Sequence, residues 1–325
     1  MSLDEFLEEW NNPSPYVHVQ TSGSTGTPKP MLVEKQRMLH SARITCDFLG
    51  LREGDTALLC MSLDYIAGKM MVVRSIERGL KLTTVEPSGH PLSTPHSPLD
   101  FAAMVPMQVY NTLQVAEECE RLKQIRHLII GGGAIDDALA SALKTFPNHV
   151  WSTYGMTETL SHIALRRLNG PEASEWYTPF PSVKVSLNDE GCLVIDAPLV
   201  CPSRLVTNDI AELSSGTVPN MKFRILGRKD NVICSGGIKI QIETVERQLR
   251  PHLQAPFLIT TRPDAKFGEA VVLLTEGAVD ECRRVCAQVL PKYNQPKAYL
   301  HVDKIPLTAT GKPARKEAEN IAKSR

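Results

Sequence analysis

The sequence predicts an α/β protein. A large N-terminal domain is built on a mostly parallel sheet with helices on both faces, a small β unit follows, and an α+β domain ends the chain. Three observations predict this. Up to about residue 153, short apolar runs alternate with stretches of helical periodicity, the pattern of a parallel sheet with crossover helices. From about Ser161 the helical pattern stops and short strands follow one another with turns between. After Gly227, Arg228, Lys229 and Asp230, strands and helices alternate again at shorter spacing. The domains expected are residues 1–229 and 230–325, with the boundary near 228–231.

The elements follow in order. Residues 1–12 are amphipathic and acidic, a short helix ended by Asn11, Asn12 and Pro13. Residues 17–20 alternate like a strand, and 31–33 are a second one. A helix over 35–49 is closed by Gly50, a buried strand covers 56–61, and a helix over 65–78 ends at Gly79. Strands over 80–85 and 101–105 precede one helix from about 106 to 118. A strand over 128–130 runs into Gly131, Gly132 and Gly133, then a helix over 136–146 and a strand over 149–153. In such sheets ligands bind beyond the C-terminal strand ends, where the polar loops 131–133 and 154–159 fall. Short strands over 163–165, 183–185, 192–195, 210–213 and 221–226 make the β unit. In the last segment, 232–234 and 238–240 form a hairpin about Ser235, Gly236 and Gly237. Helices are expected over 243–249, 280–290 and 314–322, and strands over 256–261, 270–275 and 298–302.

Composition narrows the function classes. The 325 residues carry 36 basic and 36 acidic side chains, so no gross charge favours nucleic acid. No apolar run is long enough to span a membrane, and the N-terminus lacks the basic-then-apolar order of a secretory signal. The 8 cysteines show no CxxC pair, which suits a reducing cytoplasm. Cys282 and Cys286 lie four apart in a helical stretch and read as partly buried thiols.

The densest chemical signal is Thr21, Ser22, Gly23, Ser24, Thr25, Gly26, Thr27, Pro28 and Lys29, set between two strands. Glycines let backbone N–H groups approach an anion, hydroxyls add donors, and Lys29 adds a charge suited to phosphate. A polar turn is the bland alternative. The spacing is not that of a P-loop, because Gly23 and Gly26 are too close and Lys29 follows Pro28. Tyr154, Gly155, Met156, Thr157, Glu158 and Thr159 follow a buried strand and offer a ring, a tight turn and a carboxylate. Beside phosphates, one carboxylate is enough for Mg²⁺, which keeps several waters. Gly131, Gly132, Gly133 and Ala134 are as consistent with plain α/β packing as with a nucleotide. Asp209, at the start of a strand, and Arg228 suit a ribose diol, although such residues are usually solvated. Lys312, after Thr310 and Gly311, sits on a tight turn where a solvated lysine is the commoner outcome.

Taken together, these motifs in this order resemble the adenylate-forming superfamily of acyl- and aryl-CoA synthetases, adenylation domains and luciferases, over about residues 17–316. That resemblance implies the adenylate-forming fold with a mobile C-terminal domain. It implies ATP, Mg²⁺ and CoA, and two half-reactions through an acyl-AMP. It assigns residues 21–29 to the β- and γ-phosphates, and Tyr154 and Gly155, with Gly131–Ala134, to the adenine. Thr157 meets the α-phosphate, Glu158 holds Mg²⁺, and Asp209 and Arg228 hold the ribose. Lys312 joins the substrate carboxylate to the α-phosphate. Asp230 is the hinge, and Gly236 and Gly237 line the pantetheine tunnel.

Within the superfamily, residues 155–164 (Gly, Met, Thr, Glu, Thr, Leu, Ser, His, Ile, Ala) resemble the o-succinylbenzoate–CoA ligases of menaquinone biosynthesis. This implies a small aromatic carboxylic acid, with Ser161 and His162 facing it and Tyr65 at a gate position. Arg166 is open to two readings, a partner for a second carboxylate or a solvated strand-end arginine. His162 is open to a general base or a pocket wall. A carrier protein in place of CoA also stays open, as does another acid. Two departures stand out. Only twenty residues precede the phosphate loop, so an N-terminal subdomain is expected to be absent. Thr207, Asn208 and Asp209 replace the commoner Thr-Gly-Asp, with Asn208 expected to take the left-handed turn.

Overall fold

The computed structural model describes residues 1–20, 30–95, 98–215, 221–308 and 312–325. Helix α1 (Leu3–Asn11) starts with a capping box, in which the Ser2 hydroxyl accepts from the Glu5 N–H and the Glu5 carboxylate accepts from the Ser2 N–H. Strands β1 (Tyr16–Gln20) and β2 (Pro30–Glu34) pair antiparallel on either side of residues 21–29. Side chains cover the outer edge of β1. Glu9 accepts the His18 N–H at 2.8 Å, and the buried Lys69 ammonium donates to the His18 carbonyl at 2.5 Å.

The chain continues through α2 (Lys35–Leu49), β3 (Thr56–Leu59), α3 (Ile66–Arg78), β4 (Lys81–Thr84) and β5 (Phe101–Met104). Then come α4 (Pro106–Leu113), α5 (Ala116–Lys123), β6 (His127–Ile130), α6 (Asp137–Leu143), β7 (His149–Gly155), β8 (His162–Arg167) and β9 (Thr178–Pro179). Strands β3 to β9 form a seven-stranded sheet of order β4-β3-β5-β6-β7-β8-β9. Pairings are parallel from β4 to β7 and antiparallel at β7–β8 and β8–β9. Leu58, Ala102, Met104, Leu128, Ile130 and Val150 pack on one face with Val109 of α4, Leu122 of α5, and Leu139 and Leu143 of α6. The alternate residues Ala57, Leu59, Phe101, Ala103 and Ile129 are buried as well, as a sheet covered on both faces requires. α2 packs on α3, and α3 on β3 and β4.

Two expectations need correction in this part. The single helix over 106–118 is two, because Val115 is extended (φ −115°, ψ 114°) and restarts the chain as α5. The apolar periodicity runs through the break because both helices bury a face, Val109 and Thr112 in one, Glu118 and Leu122 in the other. The strand at 163–165 does not open a separate β unit. As part of β8 it returns antiparallel along β7 at the edge of the main sheet, a common addition to parallel sheets.

Strands β10 (Lys184–Leu187), β11 (Cys192–Asp196), β12 (Leu205–Leu213) and β13 (Phe223–Arg228) form a second sheet in chain order. The backbone divides into two units. One holds Met1–Ser186, Val194–Leu205 and Leu213–Arg224; the other holds Leu187–Leu193, Val206–Glu212 and Ile225–Arg325. The second unit continues with β14 (Val232–Ser235), β15 (Ile238–Gln241), α7 (Ile242–Leu249), β16 (Phe257–Asp264), β17 (Gly268–Thr275), α8 (Val279–Val289), β18 (Ala298–His301) and α9 (Arg315–Lys323). Strands β14 to β18 form its sheet, with β18 parallel to β17. Alternation along β16 and β17 sends Ile259, Val271 and Leu273 to the core of α7 and α8, and Leu258, Val272 and Leu274 to that of α9. All 8 cysteines are free thiols, with Cys282 and Cys286 buried. Among the described residues, no helix is long and apolar enough to cross a membrane.

Candidate active site

Residues 21–29 lie outside the described residues, as do Thr310 and Gly311. The Tyr154 motif is described, and it sits differently from the expectation. Tyr154 and Gly155 belong to β7 itself, because pairing with β8 extends that strand past 153. The Tyr154 ring meets Phe223 edge-on at 5.0 Å and Tyr177 at 5.8 Å. Tyr177 stacks on Phe223 and shares a hydrogen bond with the Ser152 hydroxyl at 2.8 Å. Gly131 lies against the same strand, where a β-carbon would overlap the Thr153 hydroxyl. Glu158 is exposed on the 3₁₀ turn Thr157–Thr159, next to a half-buried Thr157.

Gly155 is required by close approach. A β-carbon there would overlap the Ser161 carbonyl oxygen and sit 2.5 Å from His162 Cα. The β7–β8 register shifts between Tyr154 and Gly155. Such a bulge turns the following side chains to the other face of the strand. The turn is held by the buried Thr159 hydroxyl, which accepts from the Met156 N–H at 3.0 Å and donates to the Ser161 carbonyl at 2.7 Å. Leu160, between them, is the one non-glycine residue with positive φ among those described (65°), backbone strain at the centre of the motif.

Past the bulge, Ser161 and His162 meet helices α2 and α3. Arg74 of α3 donates to the Ser161 hydroxyl at 2.5 Å. The Ser161 hydroxyl lies 3.2 Å from His162 Nδ1, and His162 Nε2 lies 3.1 Å from the Thr45 hydroxyl, which donates to the Ser41 carbonyl. The ends fix the direction. A guanidinium can only donate and a carbonyl can only accept, so Nδ1 accepts and Nε2–H donates. Burial, with the Arg74 charge adding to it, holds the His162 pKa well below its ordinary value. The ring is hydrogen-bonded at both nitrogens and lines the small cleft beside Phe180.

Arg74 is the unusual group. It is 2% exposed, and among the described residues its Nε has no partner and no carboxylate is paired with it. Its other hydrogen bond among the described residues runs to the Met71 sulfur, at 3.8 Å. Burial pulls its pKa down to about 10. A buried cation with no counter-ion among its neighbours is costly. The sequence reading missed Arg74. The available signal was a charge inside the apolar run Met70, Met71, Val72 and Val73. Arg166, the candidate the sequence offered, pairs in register with Ser152 and lies 5.4 Å over the Tyr177 ring, on the Tyr154 side of the bulge. Tyr65 is the half-buried N-cap residue of α3.

In the second unit, Asp209, Arg228 and Asp230 come together, and the Arg228 charge is felt at Lys312. Arg228 bonds Asp209 at 2.9 Å and Asp230 at 2.7 Å. Burial opposes its charge, but the two carboxylates outweigh that and raise its pKa. Lys312 is half-buried, and burial followed by the Arg228 charge lowers its pKa. Asp209 lies in the middle of β12 instead of at a strand start, and Asn208 is strand backbone with no left-handed turn. The Thr207 hydroxyl holds this stretch by donating to the Leu193 carbonyl and accepting from the Asp209 N–H. Arg228 ends β13. Asp230 lies in a 3₁₀ turn, and Gly236 and Gly237 have φ of 59° and 83°, the left-handed pair of a tight hairpin turn.

The family model for AMP-binding enzymes matches residues 5–198. A crystal structure of an acyl-CoA synthetase (AMP-forming)/AMP-acid ligase II-like protein from Dyadobacter fermentans is 34% identical. The match covers 98% of this chain and 92% of that one, with a TM-score of 0.65. The 2-succinylbenzoate–CoA ligase of Listeria monocytogenes is 25% identical over 340 residues, 95% of this chain and 70% of that protein. The o-succinylbenzoate CoA synthetase of Bacillus subtilis, solved with ATP and magnesium, shares the fold at a TM-score of 0.73 and 21% identity, over 92% of this chain and 69% of that one. The chain belongs to the AMP-binding enzyme family. Its activity is that of an AMP-forming ligase, which activates a carboxylic acid as its adenylate.

Proposed function

We propose that this chain activates o-succinylbenzoate with ATP and transfers the acyl group to CoA. The observation that carries the substrate is Arg74. o-Succinylbenzoate has two carboxylates. One attacks ATP, and the other stays charged and needs a counter-ion away from solvent. A buried guanidinium with no protein carboxylate among the described residues, fixed by Ser161 beside a neutral histidine, suits that second group. The small cleft lined by Ser41, Ile44, His162, Ile163, Phe180, Val183 and Val200 adds apolar surface on the His162 side. The names of the curated relatives agree with this reading.

In the first half-reaction a carboxylate oxygen attacks the α-phosphorus, and the bond to pyrophosphate breaks. Negative charge accumulates, so positioning and cationic stabilisation carry the catalysis. In this reading Lys312 bridges the acid and the α-phosphate, and its half-buried position keeps the ammonium poorly solvated. Residues 21–29 hold the β- and γ-phosphates. Tyr154 and Gly131–Ala134 take the adenine, Thr157 the α-phosphate, and Asp209 and Arg228 the ribose. The described residues include no cluster of three metal-binding side chains. In this reading the metal arrives with ATP, and the exposed Glu158 is the carboxylate that would hold it. Mg²⁺ would neutralise phosphate charge there. In the second half-reaction the CoA sulfur attacks the acyl carbon and AMP leaves, with Gly236 and Gly237 beside the pantetheine and Asp230 as the hinge.

A pyrophosphate-release screen with o-succinylbenzoate, simple benzoates and fatty acids, with and without CoA, tests the proposal. Release with o-succinylbenzoate alone, and thioester only when CoA is added, is the expected result. Release with a fatty acid and none with o-succinylbenzoate overturns the substrate. Thioester formed on a carrier protein and not on CoA overturns the acceptor.

A further inference from the structure

Lys312 is tied to described residues on both sides of it in the chain. The Ile305 N–H donates to the Glu276 carboxylate at 2.8 Å where the chain enters. Leu307 and Pro313 then bridge antiparallel. The Thr308 N–H donates to the Lys312 carbonyl at 2.7 Å, and the Lys312 N–H to the Thr308 hydroxyl at 3.1 Å. Two residues, Pro313 and Ala314, separate Lys312 from Arg315 at the start of α9. Pro313 fixes one of the few dihedrals in that link.

Arg315 is the anchor on the exit side. Its guanidinium grips the Glu246 carboxylate of α7 with both ends, at 2.6 and 2.8 Å, and donates to the Ile259 carbonyl of β16 at 3.0 Å. Glu246 is 4% exposed, and the same carboxylate accepts the Ile259 N–H at 2.9 Å. One bidentate pair thus locks α7, β16 and α9 at a point three residues from Lys312. A fork-on-carboxylate contact fixes direction as well as distance, so it sets where the Lys312 backbone starts.

We propose that Arg315 and Glu246 are positioning residues for the adenylation half-reaction, acting through Lys312. The proposal rests on the reading of Lys312 given above. A pair that only held the fold together would affect both half-reactions alike. A pair that aims Lys312 affects acyl-AMP formation and spares transfer from acyl-AMP to CoA, which does not use that lysine.

The test uses Arg315→Lys, which keeps the charge opposite Glu246 and removes the fork. Glu246→Gln, which keeps an acceptor for the Ile259 N–H, is the second variant should the first fail to fold. Circular dichroism and thermal melts establish folding. Pyrophosphate release with o-succinylbenzoate, or with the most active acid of the screen, reads the first half-reaction. Thioester formation from supplied acyl-AMP reads the second. The expected result is a loss of about tenfold or more in the first kcat with less than about twofold change in the second. In a Lys312→Ala background, Arg315→Lys should add less than about twofold, since both act through one group. A parallel fall in both half-reactions, or losses that multiply in the double variant, overturns the proposal. Lys312→Ala alone separates the two levels. If it adenylates normally, the reading of Lys312 falls and the positioning role with it. If it is defective while Arg315→Lys and Glu246→Gln adenylate normally, only the positioning role falls.

Discussion

Arg74 and Ser161 are 87 positions apart in the chain, and the guanidinium of one donates to the hydroxyl of the other at 2.5 Å. From that contact a directed line of hydrogen bonds runs through His162 and Thr45 to the Ser41 carbonyl. Each group in it has its polarity set by its neighbour. The cation at the head of the line is left without a counter-ion among the described residues.

Replacing Arg74 by Met should therefore divide stability from selectivity. Met fills similar space and removes the desolvation cost of a buried charge. The midpoint of urea unfolding should hold or rise. Activation of o-succinylbenzoate should fall by roughly 3 kcal/mol, about a hundredfold in kcat/KM. A monocarboxylic analogue should be nearly unaffected. Equal losses for both acids would remove Arg74 from substrate binding.

Gly155 should tolerate no side chain. An added β-carbon would meet backbone, the Ser161 carbonyl and His162 Cα, which cannot step aside without breaking the β7–β8 bulge. Gly155→Ala should cost on the order of 3 kcal/mol in urea unfolding. Gly133→Ala is the control, since its β-carbon meets only Pro106 carbons at 3.6 Å or more. Equal stability of the two variants would contradict the close approach.

Stability should fall as pH drops below about 6.5. His127 is half-buried and stacked on His149 at 4.9 Å. Burial first, then the charges of His149, Arg126 and Arg167, push its pKa down to about 4. His162 is lowered by burial and Arg74. Both pKa values are depressed on folding, that of His127 to about 4, so below about pH 6.5 the unfolded chain binds protons that the folded chain refuses. The stability is complete above pH 6.5 and is lost on acidification, by at most about 1.4 kcal/mol per pH unit for each histidine. His127→Gln should flatten the slope in that window. Glu9 is also depressed, from an ordinary value of 4.5, and its contribution is lost only at lower pH. Urea midpoints that stay constant from pH 7 to 5 would refute the assignment.

Much of the fold was legible because local physics wrote it. Gly50 and Gly79 closed α2 and α3 where the left-handed caps now stand, and the pair Gly236 and Gly237 marked the β14–β15 turn. The order of motifs from Thr21 to Lys312 pointed to adenylate-forming chemistry and to Tyr154, Glu158, Asp209 and Arg228 as its candidates. Those signals are short stretches whose chemistry does not depend on distant neighbours. Tertiary structure decided what neighbours decide. β8 joined the main sheet because a pairing partner was available along β7, and the same pairing drew Tyr154 and Gly155 into a strand. Asp209 became mid-strand for the same kind of reason. Arg74 was marked in the sequence only by the apolar run before it, because an arginine in a helix is solvated unless the helix is buried all round, and burial is a property of everything packed against it. The sequence, through the resemblance its motifs carry, determined the reaction class, and only the packing of α2, α3 and β8 determined where a buried positive charge would lie.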